Sequence, residues 1–134
     1  MSRALANSKG FSRGKRVFER LVREAVASLP DELKDQMENV AMIIEENPPA
    51  QPFLGGDAGE DLLGLYHGIM KKDRGPGYGN VLPDQIIIYR QPLERMSSTL
   101  EDLRENVRQT VIHEVGHYFG FDEEELQKLE EENF

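Results

Sequence analysis

Cysteine is absent from the 134 residues, which excludes a disulfide framework and any thiolate-ligated metal and leaves histidine and carboxylate side chains as the only strong ligands. No apolar run approaches the length needed to span a bilayer. The basic N-terminal stretch with Arg3, Lys9, Arg13, Lys15 and Arg16 is not followed by the apolar segment of a secretory signal. These absences predict a cytoplasmic protein with no membrane contact. Positive charge is also scarce, with 16 Lys and Arg against 25 Asp and Glu and a formal net charge of -9. Such a surface is unsuited to neutralising phosphates, which argues against a general nucleic-acid or anionic-membrane binder and leaves only a local role for the basic arm. Hydrophobic residues make up 38% and charged residues 31%, so the chain is expected to form one small, well-hydrated domain with a single modest core.

The pattern along the chain divides it into an arm and a body. Residues 1–15 mix Ser, Gly, Asn and basic side chains without periodicity and read as a disordered or loosely docked arm; residues 16–134 form the single domain. Val17, Phe18, Leu21, Val22, Ala25 and Leu29 recur at helical spacing until Pro30 stops the helix. Residues 31–37 add a short helical turn, and Val40, Ala41, Met42, Ile43 and Ile44 make a compact buried strand. The Pro-, Gly- and acid-rich stretch 47–61 is a loop, Leu62, Leu63, Leu65 and Tyr66 suggest a second strand, and residues 71–83 form a mobile segment around Tyr78. Ile86, Ile87, Ile88 and Tyr89 are the clearest strand, followed by Arg90, Pro92 and a short helical piece over 93–96. Ser98 with Glu101 fits a capping box for a long helix ending near Phe119, and a last acidic helix runs over about 123–131. This order predicts an α+β fold in which a small sheet packs on helices.

The long helix ends in His113-Glu114-Val115-Gly116-His117-Tyr118-Phe119-Gly120. On a helix turning about 100° per residue, His113 and His117 lie roughly 40° apart and one turn along, so both rings can reach one cation, and Glu114 projects from the same side. An H-E-x-x-H string can arise by chance on any charged helix, and the apolar stripe decides between the readings. Leu100, Leu103, Val107, Val111, Val115 and Tyr118 fall on one side, while Asn106, Thr110, His113 and His117 fall on the other. The histidines are therefore not core residues. Zinc in a catalytic role takes three protein ligands and leaves a fourth position for water, whose proton Glu114 is placed to accept. Gly120 can adopt positive φ, end the helix and turn the chain back, which makes Glu123 the candidate third ligand and Asp122 its competitor by one residue of slip.

With these residues in hand, the chain resembles the short bacterial zincin-like metallopeptidases, or minimal zincins. Beyond the H-E-x-x-H helix, the likeness rests on Leu62-Leu63-Gly64-Leu65-Tyr66, Leu82-Pro83-Asp84-Gln85-Ile86, the segment with Arg90, Pro92, Leu93, Glu94 and Arg95, and the Asp-Glu-Glu-Glu-Leu stretch, from about Val17 to Leu129. The resemblance implies the zincin core fold, a small mixed sheet packed against helices that include the active-site helix, with metal ligands at His113 and His117 and Glu114 as base. Two departures stand out. Relatives usually carry Asp where this chain has Glu123, which moves the carboxylate by about one carbon–carbon bond, and His67 stands where many relatives have an acidic or amide side chain. His67 is read first as a surface histidine.

The resulting expectation is zinc-dependent hydrolysis of a peptide or protein substrate, with Glu114 as general base and the strand over 86–90 as a candidate surface for an extended substrate. Tyr78, Tyr89 and His67 are possible oxyanion partners that no spacing singles out. Two alternatives are a non-catalytic zincin scaffold that binds protein with weak or no metal, and a metal-dependent endoribonuclease. The family behind the last reading uses H-x3-H-x5-H, and its third histidine is missing here.

Overall fold

A computed structural model describes residues 14–49, 62–68 and 83–131. Residues 1–13 of the basic arm, most of the two predicted loops over 47–61 and 71–83, and Tyr78 lie outside the described residues, and Lys15, placed in the arm by its composition, already belongs to the first helix. Helix α1, Lys15–Ala27, buries Phe18, Leu21, Val22 and Ala25, the apolar positions that recur every three to four residues. It stops where Ser28 Oγ donates to the Ala25 carbonyl at 2.7 Å, two residues before Pro30. Helix α2, Asp31–Gln36, starts with Asp31 and Glu32, whose charges suit a helix N-terminus.

Three strands follow: β1 Val40–Glu45, β2 Gly64–His67 and β3 Asp84–Tyr89, in the spatial order β1-β3-β2. β1 runs parallel to β3, with Ile43 beside Ile87, and β2 runs antiparallel to it, with Leu65 beside Ile87. This corrects one expectation. The strand over 86–90 was the candidate for binding an extended substrate, yet β3 is central and both its backbone edges are already paired. Among the described residues, the outer edges of this sheet belong to β1 and β2.

Helix α3 spans Arg90–Arg95 and begins three residues before the predicted 93–96 piece. Pro92 is tolerated because the first-turn N–H groups of a helix have no intrahelical acceptor to lose. The early start turns Arg90 inward, where it is 9% exposed. Its Nη1 donates to both carboxylate oxygens of Glu94 at 3.0 Å, and its Nε donates to both oxygens of Glu46 at 3.1 and 3.0 Å. Gln91 Nε2 adds a bond to Glu46 at 3.0 Å. The end of β1 is thus pinned to the start of α3.

Helix α4, Leu100–Phe119, carries the H-E-x-x-H string, and its start is displaced by one residue from the predicted box. Thr99, not Ser98, is the N-cap: its Oγ1 accepts from the Asp102 N–H at 3.0 Å, while Asp102 rather than Glu101 reaches back to the Ser98 N–H at 3.3 Å. Leu103, Val107, Val111, Val115 and Tyr118 are fully buried, as the stripe predicted. Each contributes roughly 1.5–3 kcal/mol relative to an exposed position, so core packing anchors this helix without help from an ion. Thr110 departs from the prediction. It is 8% exposed because α4 is covered on a second side by β2, where a Cβ on Gly64 would come within 2.9 Å of Thr110 Cγ2. Helix α5, Glu123–Glu131, buries Leu126 and Leu129. Among the described residues no helix is long and apolar enough to cross a membrane.

Candidate metal centre

The last two turns of α4 place His113, Glu114 and His117 side by side. One ligand atom from each lies within 4.8 Å of the other two, and the imidazole centroids are 4.5 Å apart with their planes at 69°. This is the arrangement the one-turn spacing of the motif predicted. Both imidazoles are partly exposed, whereas Glu114 is 6% exposed beneath them. Burial pushes the Glu114 carboxyl above the ordinary carboxylate range; the charges of His117 and His113, a hydrogen bond with His117 and one from the Tyr66 backbone N–H pull it back down. The His117 Nδ1 to Glu114 Oε1 distance is 3.2 Å.

Two glycines bring the surrounding elements this close. Gly64 on β2 lies against Glu114, and a Cβ there would sit 3.1 Å from Glu114 Cγ and 3.2 Å from the Ile87 carbonyl oxygen. Gly116, between the two histidines, faces Leu126 of α5, and a Cβ would sit 2.0 Å from Leu126 Cδ2. We expect Gly116→Ala to destabilise the fold despite the gain of about 1 kcal/mol in helix propensity. Leu126 is 3% exposed, so its side chain has to find a new rotamer inside the core, and overpacking of this kind costs about 1–3 kcal/mol. Denaturant unfolding measures the balance. A midpoint equal to or above that of the wild type would show that Leu126 yields freely.

The turn between the helices is set by Gly120, which has φ 81° and ψ 29° and whose N–H bonds the Gly116 and His117 carbonyls, as the position of this glycine predicted. Asp122 then caps α5 in a reciprocal box: its Oδ1 accepts from the Glu125 N–H at 2.8 Å, and Glu125 Oε1 accepts from the Asp122 N–H at 2.9 Å. Asp122 Oδ1 is thus committed to the cap of α5. Glu123 is exposed in the first turn of α5 and lies outside the His113, Glu114 and His117 cluster. It shares with His113, Glu124, Gln127, Glu130 and Glu131 a groove of about 740 Å³.

A second groove of about 300 Å³ borders the His113 side of the centre, between Leu63 and Gly64 on one side and Thr110, His113, Glu114 and Glu130 on the other. Of the possible oxyanion partners, Tyr89 is 1% exposed and serves packing. His67 is exposed at the end of β2, consistent with its reading as a surface residue.

Sequence reasoning missed Glu130, whose Oε2 lies 3.0 Å from His113 Nδ1. The available signal was its position seven residues after Glu123, two turns along the same face of α5. The contact of the β2 backbone with Glu114 had no signal in the motif at all.

The donor set, two imidazoles and a carboxylate on adjacent turns beside further carboxylates, fits a divalent ion that accepts nitrogen and oxygen ligands. A family model for zincin-like metallopeptidases matches residues 37–133, from the end of α2 through α5. No curated protein matches the chain.

Proposed function

The chain belongs to the zincin-like metallopeptidase family, and from that premise and the geometry of α4 we propose that it hydrolyses peptide bonds with a zinc ion held by His113, His117 and Glu123. The observation that carries this reading is the convergence of His113, Glu114 and His117 donor atoms within 4.8 Å, with the carboxylate buried, both imidazoles partly exposed and His113 lining the groove. When bound, such an ion polarises a carbonyl and lowers the pKa of water. Glu123 is the proposed third ligand because it lines the same groove as His113 and, unlike Asp122, is not engaged in a cap.

Glu114 then acts as general base, taking the proton of the attacking water on a carboxylate oxygen and passing it to the departing amine nitrogen as the C–N bond breaks. The raised proton affinity that burial gives its carboxyl suits this exchange. β2 is a sheet edge, and it already turns the Tyr66 N–H to Glu114. An extended peptide laid along this edge is held through its main chain, with little discrimination among side chains. Glu123, Glu124, Glu130 and Glu131 along the neighbouring groove make the surroundings hostile to a polyanion, which favours a carbonyl substrate over RNA.

The test is metal removal and restoration against a mixed peptide library. Zinc-loaded protein is expected to cleave, chelator-treated protein to be inactive, and added zinc to restore activity. His117→Ala is expected to lose both cleavage and zinc, with affinity falling by more than the roughly 10–100-fold that loss of an outer partner costs. Cleavage that survives chelation refutes the role of the ion. Absence of cleavage by the zinc-loaded protein, with a protein partner still captured, replaces the peptidase with a binding scaffold.

A further inference from the structure

Glu130 approaches the centre from α5, and its Oε2 lies 3.0 Å from Nδ1 of His113, with side-chain exposures of 30% for Glu130 and 40% for His113. We infer that Glu130 is a positioning residue: it accepts the Nδ1–H of His113, fixes the ring in that tautomer, and leaves Nε2 as the nitrogen that faces a metal ion. This rests on the metal-site reading given above and adds a residue that the motif does not contain.

Three observations support it. An imidazole has two nitrogens, and the one that keeps its proton cannot ligate, so a carboxylate on Nδ1 selects Nε2 for the metal. The contact joins two helices rather than neighbouring turns of one, so it restricts rotation of the ring about the His113 side chain in a way that α4 alone does not. The two histidines are also held differently: His117 Nδ1 meets Glu114 of its own helix at 3.2 Å, whereas His113 Nδ1 meets a carboxylate that has no part in the H-E-x-x-H string. Glu130 reaches this place because Gly116 lets Leu126 and the rest of α5 pack closely on α4.

The experiment has two readouts on the full chain. Nitrogen-15 imidazole spectra of the metal-free protein, recorded at a pH where the rings are neutral, report the tautomer of His113. The wild type is expected in the Nδ1–H form, and Glu130→Ala is expected to shift toward the Nε2–H form that free imidazole side chains favour. A zinc competition titration with a chromophoric chelator should then show about 10–100-fold weaker binding for Glu130→Ala. Glu130→Gln, whose amide oxygen still accepts a hydrogen bond, should stay within severalfold of the wild type. Glu131→Ala removes the same charge from the same groove without touching His113 and should change affinity little. An Nε2–H tautomer in the wild type overturns the inference, as does equal weakening in Glu130→Ala and Glu131→Ala. So does a zinc-edge anomalous map that places Glu130 in contact with the ion. Because the tautomer is read without metal, its failure is distinct from failure of the peptidase reading, which chelation and zinc restoration test.

Discussion

Glu114→Gln should leave zinc affinity within severalfold of the wild type while lowering kcat/KM for peptide cleavage by about 10²–10⁴-fold, the usual worth of a positioned general base. The substitution is nearly isosteric. Its amide oxygen can still accept from the Tyr66 N–H, so the wall between β2 and α4 stays closed, but it cannot take a proton from water. Stability should not fall, because burial is the largest influence on the Glu114 carboxyl and disfavours its charged form; a neutral replacement avoids that penalty. Chelator competition and peptide kinetics on the same preparation decide the matter. Loss of zinc from Glu114→Gln would assign Glu114 to the ligand set, as its membership of the donor cluster allows, and cleavage within tenfold of the wild type would falsify its role as base.

Arg90→Ala should destabilise the fold by roughly 3–5 kcal/mol, the range found when one partner of a buried ion pair is removed. Glu94 is the reason. At 3% exposure it has no route to water once Arg90 Nη1 is gone, whereas Glu46, with a side chain 39% exposed, can be rehydrated. The double variant Arg90→Met with Glu94→Leu should recover most of the loss, because it removes the stranded charge along with its partner. The network also marks the acid side of the stability curve. The hydrogen bonds from Arg90, the largest cause, hold the Glu46 carboxyl at about 2 against an ordinary 4.5. A carboxyl with a lowered folded-state pKa contributes fully above its unfolded value, so this contribution is present above about pH 4.5 and is lost as pH falls toward 2. Arg90→Ala should therefore show a flatter dependence of unfolding on pH across that window, measured by denaturant titration at several pH values. An unchanged profile would remove Glu46 from the account.

What could be read from the sequence was whatever repeats with a helical or strand period. The buried stripe of α4, the apolar face of α1, the strands around Ile43 and Ile87 and the meeting of His113 with His117 all follow from local spacing. The same locality explains the misses. Ser98 and Thr99 are both good caps followed at the right interval by an acid, and only the folded backbone shows that Thr99 and Asp102 are the pair used. β3 has the pattern of a buried strand whether it is central or at an edge, so the sheet order that transfers the free edge to β2 could not be read from it. Thr110 looked solvent-facing because one stripe predicts one covered side, and the second cover comes from a strand more than forty residues earlier. Glu130 is one acid among many on α5; its spacing from Glu123 puts both on one face, but only the pairing of the two helices shows that this face meets His113.

The reciprocal cap of Asp122 and Glu125 keeps the reversal after Gly120 tight, so every side chain assigned to the ion or its outer partner falls within residues 113–130. A ligand that bridges such neighbours closes only a small loop and removes little entropy from the unfolded chain. An ion held there would thus not be a clasp between the ends of the domain. Stripping such an ion should loosen the hairpin of α4 and α5 locally while the sheet and α1 remain in place, so the proposed metal is expected to come and go without unfolding the domain.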